Sequence, residues 1–333
     1  MPRRARLDAP GVLHHLIIRG IEGRLIFADN QDRKNLLGRM ISVLPETMTR
    51  CYAWAFLTNH AHLLVRTGKS PLSGVMARLL TGYAVSFNKR HRRHGPLFQN
   101  RYKSILCQED AYLTELVRYI HLNPLRARII PDLNGLLRYP WCGHGVLMGK
   151  RGRPFQDSAY VLSYFGSTKR AAREAYLTFM EAGLTHGRRP ELTGGGLIRS
   201  NGGWKEVKHF REHRLKGDER ILGDTSFVLR MLSEMEEKLD RRTALRRTGL
   251  DLGTIERRVT ALYRITHGDL CSHERRAYLV AARSLFCFWA VAELGLPATT
   301  IARYLDMSQP GVGYAVDRGR RIASQEGYTL TEG

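Results

Sequence analysis

The first 130 residues alternate between two hydrophobic patterns. Apolar residues that run together or alternate with a period of two predict strands, and the turn pair Thr58-Asn59 separates two such runs. Apolar residues at helical spacing predict helices between them. The predicted strands are Leu13–Ile18, Cys51–Leu57, His62–Arg66 and Phe98–Leu106, and the predicted helices are Asp32–Leu44, Pro71–Arg92 and Asp110–Leu122. The order β-α-β-β-α-β-α predicts an α+β fold, a split βαβ antiparallel sheet with helices on one face.

Local signals place the ends of two of these helices. Pro71 lies near the start of the second helix, and its basic end, KRHRRHG, is closed by Gly95; proline at the start and glycine after the end are typical of helices. Asp110 is a candidate N-cap for the third helix, and Pro124 is expected to lie beyond its end.

The rest of the chain divides into three further parts. Residues 136–193 are mainly helical with aromatic clusters (YPWCG, YVLSYFG) and are expected to pack on the first domain. The glycine-rich piece GGGLIRSNGGWK lacks the Gly-Lys-Ser/Thr ending of a phosphate-binding loop, so it predicts a linker within residues 194–226. Residues 1–135 form the domain described above, and residues 227–333 are predicted to form an all-helical domain. The helices predicted in residues 227–333 are Phe227–Arg241, Leu252–Thr266 and Ser272–Leu294.

The last part of the chain predicts a helix-turn-helix near residues 299–322. A short helix, Thr299–Leu305, is followed by the three-residue turn Asp306–Ser308 and a second helix, Gln309–Ile322. In a helix-turn-helix the second helix can enter the major groove of DNA.

The charge of the chain points to a polyanionic partner. Against 31 Asp and Glu there are 53 Lys and Arg, a formal net charge of +22, while 43% apolar residues is an ordinary value for a folded protein. The positive excess therefore lies on a folded surface, and a nucleic acid is the leading partner.

One long segment carries no carboxylate at all. Between Glu46 and Glu109 there is no Asp or Glu but there are ten Lys and Arg. A solvated surface normally mixes both signs, so this segment predicts contact with a phosphate backbone. The candidate contacts are Arg90, Arg92, Arg93, Arg101 and Lys103.

Several classes of protein are not indicated. The start, MPRRARLDAPG, lacks the apolar core of a secretory signal, and the apolar segment Tyr278–Pro297 is interrupted by Arg283 and Glu293. The five cysteines show no Cys-x-x-Cys spacing, which suits reduced thiols. We therefore expect a cytoplasmic protein without a membrane partner.

The sharpest chemical feature is the sequence NHAHLLV. His60 and His62 stand two apart on a strand, so their side chains share one face, although such a pair alone is more often structural than metal-binding. In LVRYIHLNP, Tyr119 and Asn123 stand four apart on a helix and also share a face.

Brought together, the two pairs would supply a nucleophile and three neutral ligands for a divalent ion that polarises a phosphodiester. Mg²⁺ or Mn²⁺ is expected on chemical grounds, and Zn²⁺, Co²⁺ or Ni²⁺ would also be accepted. The other nearby histidines, His14, His15 and His121, are interpreted as packing residues.

These motifs carry a family resemblance. The His-hydrophobe-His pair, the tyrosine with an amide one turn on, and the runs HLIIRG, FNKRHRRHGPLFQNRYKS and RYIHLNPLRARI resemble the REP-associated tyrosine transposases, relatives of the HUH single-tyrosine transposases of small insertion sequences. The resemblance implies a ferredoxin-like catalytic domain that acts on single-stranded DNA, often at hairpins of palindromic repeats. It implies that His60 and His62 bind the metal and that Tyr119 forms a 5′-phosphotyrosine. Asn123 stands where relatives place Gln or another polar ligand.

The C-terminal third resembles another family. Residues 252–322 are similar to the DNA-binding domain of the bacterial replication initiator, with SHERRAYLVAARSLFCFWAVAELG as its long helix. The final helix begins SQPGVGYAV, which is less polar than the initiator's signature. The resemblance implies binding of duplex DNA or a hairpin stem, with candidate contacts at Gln309, Arg318, Arg320 and Arg321.

Two functions remain open from the sequence, besides a remoter third, an RNA-binding module on a similar split βαβ sheet, which would normally carry aromatic pairs where these strands carry His60 and His62. The first is a metal-dependent single-stranded DNA endonuclease and strand transferase, which rejoins DNA without a nucleotide cofactor because the phosphotyrosine stores the bond energy. The alternative is a non-catalytic, sequence-specific DNA-binding regulator that retains the fold. Both a monomer and a homodimer are compatible with the sequence.

Overall fold

The protein is described by a computed structural model covering residues 11–68, 70–186, 189, 192, 220–224, 226–234, 237, 245 and 249–331. The chain divides into two compact units, Met1–Leu232 and Ser233–Gly333. The segment predicted as a glycine-rich linker, 194–226, lies largely outside the described residues.

The first unit is built on a five-stranded sheet. Its order is β2-β3-β1-β4-β5, antiparallel throughout except that β4 and β5 run parallel. The strands are β1 (Leu13–Arg19), β2 (Arg50–Phe56), β3 (His60–Arg66), β4 (Lys103–Cys107) and β5 (Ile221–Leu222). The helices are α1 (Asn30–Glu46), α2 (Leu72–Arg90), α3 (Glu109–Arg126), α4 (Leu133–Arg138), α5 (His144–Leu147), α6 (Ser158–Ser163) and α7 (Lys169–Ala182). The predicted α+β class is confirmed, as a mainly antiparallel sheet with helices followed by a helical unit.

The helices cover both faces of this sheet, not one as predicted. Helices α1 and α2 pack on one face, against Trp54 and Leu63, while α3 and the helices α4 to α7 share a second core with Tyr52 and Leu64 on the other face. The reason is visible in the strands, which are apolar at consecutive positions, as expected of strands buried on both sides. The sheet is therefore the middle layer of three.

The boundaries of the fourth strand and of the third helix differ from the predicted ones. The fourth strand begins at Lys103, because Asn100 adopts a left-handed φ of 61° and Phe98 forms only an isolated bridge with Gly20. Helix α3 begins at Glu109 and runs through Pro124 to Arg126, so Asp110 lies in its first turn and is not the N-cap. Proline removes one helical hydrogen bond there, and the turn is retained within the second core.

The second unit is helical around a core that includes Phe286 and Trp289. The helices are α8 (Leu252–Tyr263), α9 (His267–Cys271), α10 (Ala277–Phe288), α11 (Ala298–Tyr304) and α12 (Gln309–Glu326). The predicted helix, turn and helix near 299–322 are present as α11 and α12, and α12 continues to Glu326. Of the helix predicted at 227–241, residues 226–234 are helical and the others are mostly outside the described residues.

No helix in the described part of the chain is long and apolar enough to span a bilayer.

Candidate functional site

The sheet positions the histidine pair through a tight turn. Thr58 and Asn59 join β2 to β3, and alternation along β3 directs His60 and His62 to the face covered by α3. His62 is buried and His60 is half-buried, and their ring centroids are 5.2 Å apart. The two imidazoles therefore lie together under the helix that carries the tyrosine.

Helix α3 brings Tyr119 to this pair. The ring of Tyr119 meets the ring of His62 edge-on with centroids 5.9 Å apart. Asn123, one turn further on, is buried and donates from Nδ2 to the backbone oxygen of Tyr119 at 3.1 Å. His62 and Tyr119 thus meet as predicted, while Asn123 is held against its own helix.

A third histidine, interpreted from the sequence as a packing residue, belongs to the same cluster. His15 on β1 lies beside His62, with Nε2 of His15 3.0 Å from Nδ1 of His62, and its ring centroid is 5.9 Å from that of Tyr119. His15 has the same strand parity as Leu13 and Ile17, which face α3. That parity is a sequence signal that could have identified it. We refer to His15, His60, His62 and Tyr119 as the histidine–tyrosine cluster.

Hydrogen bonds fix which ring nitrogens carry protons. Nδ1 of His15 lies 3.3 Å from the carbonyl oxygen of Leu192, which can only accept, so Nδ1 donates and Nε2 accepts from Nδ1 of His62. Nδ1 of His60 likewise donates to Oδ1 of Asn59 at 2.7 Å. In both His60 and His62 the lone pair therefore resides on Nε2, and in the described part of the chain no hydrogen bond uses it.

Burial keeps these imidazoles neutral. It lowers the pKa of His15 to about 4, with a smaller effect from the charge of Lys103, and it lowers the pKa of His60 to about 4, with a smaller effect from Arg19. The pKa of His62 is also well below its usual value, again chiefly through burial. Neutral imidazoles whose lone pairs no hydrogen bond uses can bind a metal ion.

The residues fit a divalent ion only in part. Two neutral Nε2 atoms suit such an ion, but the described residues contain no group of three His, Cys, Asp or Glu able to enclose one. A metal held here would need Asn123, water or DNA oxygens to complete its ligands.

His121 lies elsewhere in the core. Its ring is fully buried, and its Nδ1 is 2.9 Å from the hydroxyl of Tyr176, which also contacts Nδ1 of His144 at 2.9 Å. These contacts tie α3 to α5 and α7.

Acids from outside the acid-free segment neutralise part of its charge. Arg90 forms ion pairs with Asp29 and Asp32 at the start of α1, so this candidate DNA contact is already engaged. Three other arginines of the segment are paired in the same way: Arg50 with Asp157, Arg66 with Glu109 and Arg78 with Glu46.

The other candidates in this segment differ in exposure. Arg92, Arg101 and Lys103 are exposed, and Arg93 is half-buried over the ring of Phe87. The contact of these side chains with a phosphate backbone stays a prediction.

Candidate contacts in the second unit fall into two groups. Gln309, Arg318 and Arg321 are exposed, and Arg320 is half-buried. Arg318 donates from Nε to Oγ of Ser284 at 2.7 Å, and Arg320 lies over the ring of Phe288, so both reach toward α10.

One family model matches part of the first unit. Residues 10–123 match the family model of the IS200-like transposases. This IS200-like segment is about a third of the chain and contains the whole histidine–tyrosine cluster and Asn123. For this segment, the resemblance found in the motifs is confirmed.

The chain was also compared with solved structures and with curated proteins. The structure is similar to a solved structure described as a REP-associated tyrosine transposase bound to a REP hairpin, with 16% identity, a TM-score of 0.38, and coverage of 47% of this chain and 90% of that one. No curated protein matches the chain. The similarity of residues 252–322 to the replication initiator stays a prediction.

Proposed function

We propose that this chain is a metal-dependent single-stranded DNA endonuclease and strand transferase that works through a 5′-phosphotyrosine on Tyr119. The observation that supports it is the edge-on contact of Tyr119 with His62 inside the IS200-like segment. The phenol lies beside His62, and His62 lies beside His60; both imidazoles are neutral with an unused lone pair, so the site combines a nucleophile with a place for a Lewis acid.

The proposed cleavage is a transesterification. Oη of Tyr119 forms a bond to phosphorus while the bond from phosphorus to the 3′-oxygen breaks. The phenol proton passes to solvent, and the departing 3′-oxygen takes up a proton. Attack by a 3′-hydroxyl reverses these changes and releases Tyr119, so no nucleotide cofactor is consumed.

Residues of the histidine–tyrosine cluster and Asn123 are proposed to bind the ion and to position the nucleophile. His60 and His62 would hold the ion through Nε2, with Asn123 as the proposed third ligand. When bound, Mg²⁺ or Mn²⁺ would supply Lewis-acid polarisation of the phosphate. The edges of His15 and His62 hold the Tyr119 ring against the sheet.

The proposed substrate is a single strand bearing a hairpin of a palindromic repeat. Exposed basic side chains of the acid-free segment, Arg92, Arg101 and Lys103, are proposed to contact its backbone. We further propose that α12 of the second unit binds duplex or hairpin stem through Gln309 and Arg321, and that the protein acts in the cytoplasm.

Loss of the phenol tests the nucleophile. We expect Tyr119→Phe to abolish the covalent protein–DNA adduct on a labelled single-stranded hairpin with Mg²⁺ or Mn²⁺, while hairpin affinity changes less than about threefold, because only the attacking oxygen is removed. The matched control is Tyr112→Phe, two turns earlier on α3, which should form adduct like the wild type. An adduct that survives in Tyr119→Phe would refute the assignment.

The alternative function is a sequence-specific DNA-binding regulator without catalysis, and the paired helices α11 and α12 favour it. It predicts hairpin binding by the wild type with no adduct under any divalent ion. The same gel, run with each ion and with EDTA, separates the two functions.

A further inference from the structure

Arg126 lies directly over the proposed nucleophile. It stands seven residues after Tyr119 on α3, which places both side chains on one helix face. Its guanidinium carbon is 5.4 Å from the centre of the Tyr119 ring. Its remaining hydrogen bonds are to backbone oxygens, those of Tyr119 at 3.5 Å and His186 at 3.3 Å.

The charge of Arg126 is not balanced by the described part of the chain. The side chain is half-buried, and no carboxylate within ion-pair distance of it is found among the described residues. Burial lowers the pKa of Arg126, and the charges of Arg189 and Arg118 act in the same direction. A half-buried cation without a counter-ion is energetically costly, so binding of an anion next to Arg126 is favourable.

Two nearby arginines, unlike Arg126, are paired with a carboxylate. Arg118, one residue before the tyrosine, donates to both oxygens of Glu115 at 2.7 Å, and Arg189 lies 3.3 Å from the same carboxylate. Glu115 thus already serves two guanidinium groups. The charges of Arg118 and Arg189 also act on Arg126, so the surroundings of Arg126 are positive.

We infer that Arg126 binds the phosphate that Tyr119 attacks. A phosphodiester bound at the phenol would supply the negative counter-charge for the Arg126 guanidinium, and arginine donates well to phosphate oxygens. Arg126 would then place the reacting phosphate and stabilise the charge that develops on its oxygens. This inference rests on the proposed function.

The test uses strands in which one linkage is a neutral methylphosphonate. In the Tyr119→Phe background, which forms no adduct, hairpin-strand affinity is measured by fluorescence anisotropy with the neutral linkage moved along the strand. With Arg126 present, neutralising the contacted linkage should weaken binding about tenfold, the value of a charge-assisted hydrogen bond. With Arg126→Gln, binding to the all-phosphate strand should weaken about tenfold and the neutral linkage should add less than about twofold.

Arg128→Gln is the matched control. Arg128 is exposed just past the end of α3, and its substitution removes the same charge from the same region. We expect it to leave the penalty of the neutral linkage at about tenfold. Thermal midpoints of all variants identify any loss of folding, and Arg126→Lys, which keeps the charge, should restore part of the affinity.

The outcomes separate this inference from the proposed function. If neutralising the linkage costs the same with Arg126 present and with Arg126→Gln at every position, Arg126 does not bind phosphate, whether or not the wild type forms an adduct. If the penalty depends on Arg126 but the wild type forms no adduct, phosphate binding stands and the cleavage activity fails. When an adduct forms, the linkage that depends on Arg126 must be the linkage that is cleaved; dependence at another linkage overturns the inference.

Discussion

At the scale of single residues, a chain of hydrogen bonds runs from the carbonyl oxygen of Leu192 through His15 to His62 and orients the His62 ring. A metal-binding imidazole is oriented by the partner of its other nitrogen, and such partners change metal affinity strongly. His15 is therefore a positioning residue for the proposed metal, although it presents no atom to the ion itself.

We expect His15→Phe to weaken Mn²⁺ binding about 10- to 100-fold, because a phenyl ring fills the same space but cannot accept from Nδ1 of His62. Calorimetric titration of the DNA-free protein with Mn²⁺ measures this directly. His14→Phe is the control, since His14 lies on the same strand but faces the other core layer near Ser104. Equal Mn²⁺ affinity in the wild type and His15→Phe would show that the hydrogen bond does not matter.

At the scale of elements, the close crossing of α10 and α12 depends on one glycine. A Cβ atom at Gly319 would lie 1.9 Å from the backbone oxygen of Ser284, whereas a Cβ atom at Gly313 of the same helix would meet nothing within 4 Å. Alanine at Gly319 and alanine at Gly313 are therefore expected to have opposite effects on stability.

We expect Gly319→Ala to destabilise the second unit by about 1–3 kcal/mol, because the backbones must separate to admit the methyl group. Gly313→Ala should instead stabilise α12 by up to about 1 kcal/mol, since alanine is the better helix former. Urea unfolding followed by circular dichroism measures both. The argument fails if the two substitutions change stability alike.

The sequence predicted the elements better than their arrangement. Strand and helix periodicity located β1, β3 and α1 closely, because alternation and helical spacing are local properties. The layer on which α3 packs depends on contacts between distant segments, and the same apolar strands permit one or two covered faces. His62 and Tyr119 were recognised by residue type and spacing, whereas His15 was missed because its partner is 47 residues away.

At the scale of the whole molecule, the basic side chains behind the net charge of +22 are of two kinds, those in ion pairs and those without one. Arg90 and Arg92 are two residues apart and both are exposed, yet in the described part of the chain Arg90 is paired with Asp29 and Asp32 and Arg92 has no ion pair. Only the unpaired side chains are fully available to release counter-ions from DNA.

We expect Arg92→Gln to weaken single-strand binding and to lower the slope of log affinity against log salt by about 1. Arg90→Gln should leave that slope unchanged and lower the thermal midpoint, because it leaves the buried carboxylate of Asp32 short of a partner. Anisotropy titrations at several salt concentrations, with a thermal melt of each variant, provide the comparison. Identical slopes for Arg92→Gln and the wild type would remove Arg92 from the interface.

The parallel pairing of β4 with β5 can form only late during synthesis of the protein. Cys107 and Leu222 are neighbours in the sheet but are separated by about 115 residues of chain. At roughly 5 to 20 residues per second, the ribosome needs about 6 to 23 s to deliver β5 after β4 has emerged. During that interval the nascent chain carries an open strand edge, the kind of surface on which unfinished chains join one another. The IS200-like segment ends at residue 123, so its sheet edge is completed only by chain made long after it.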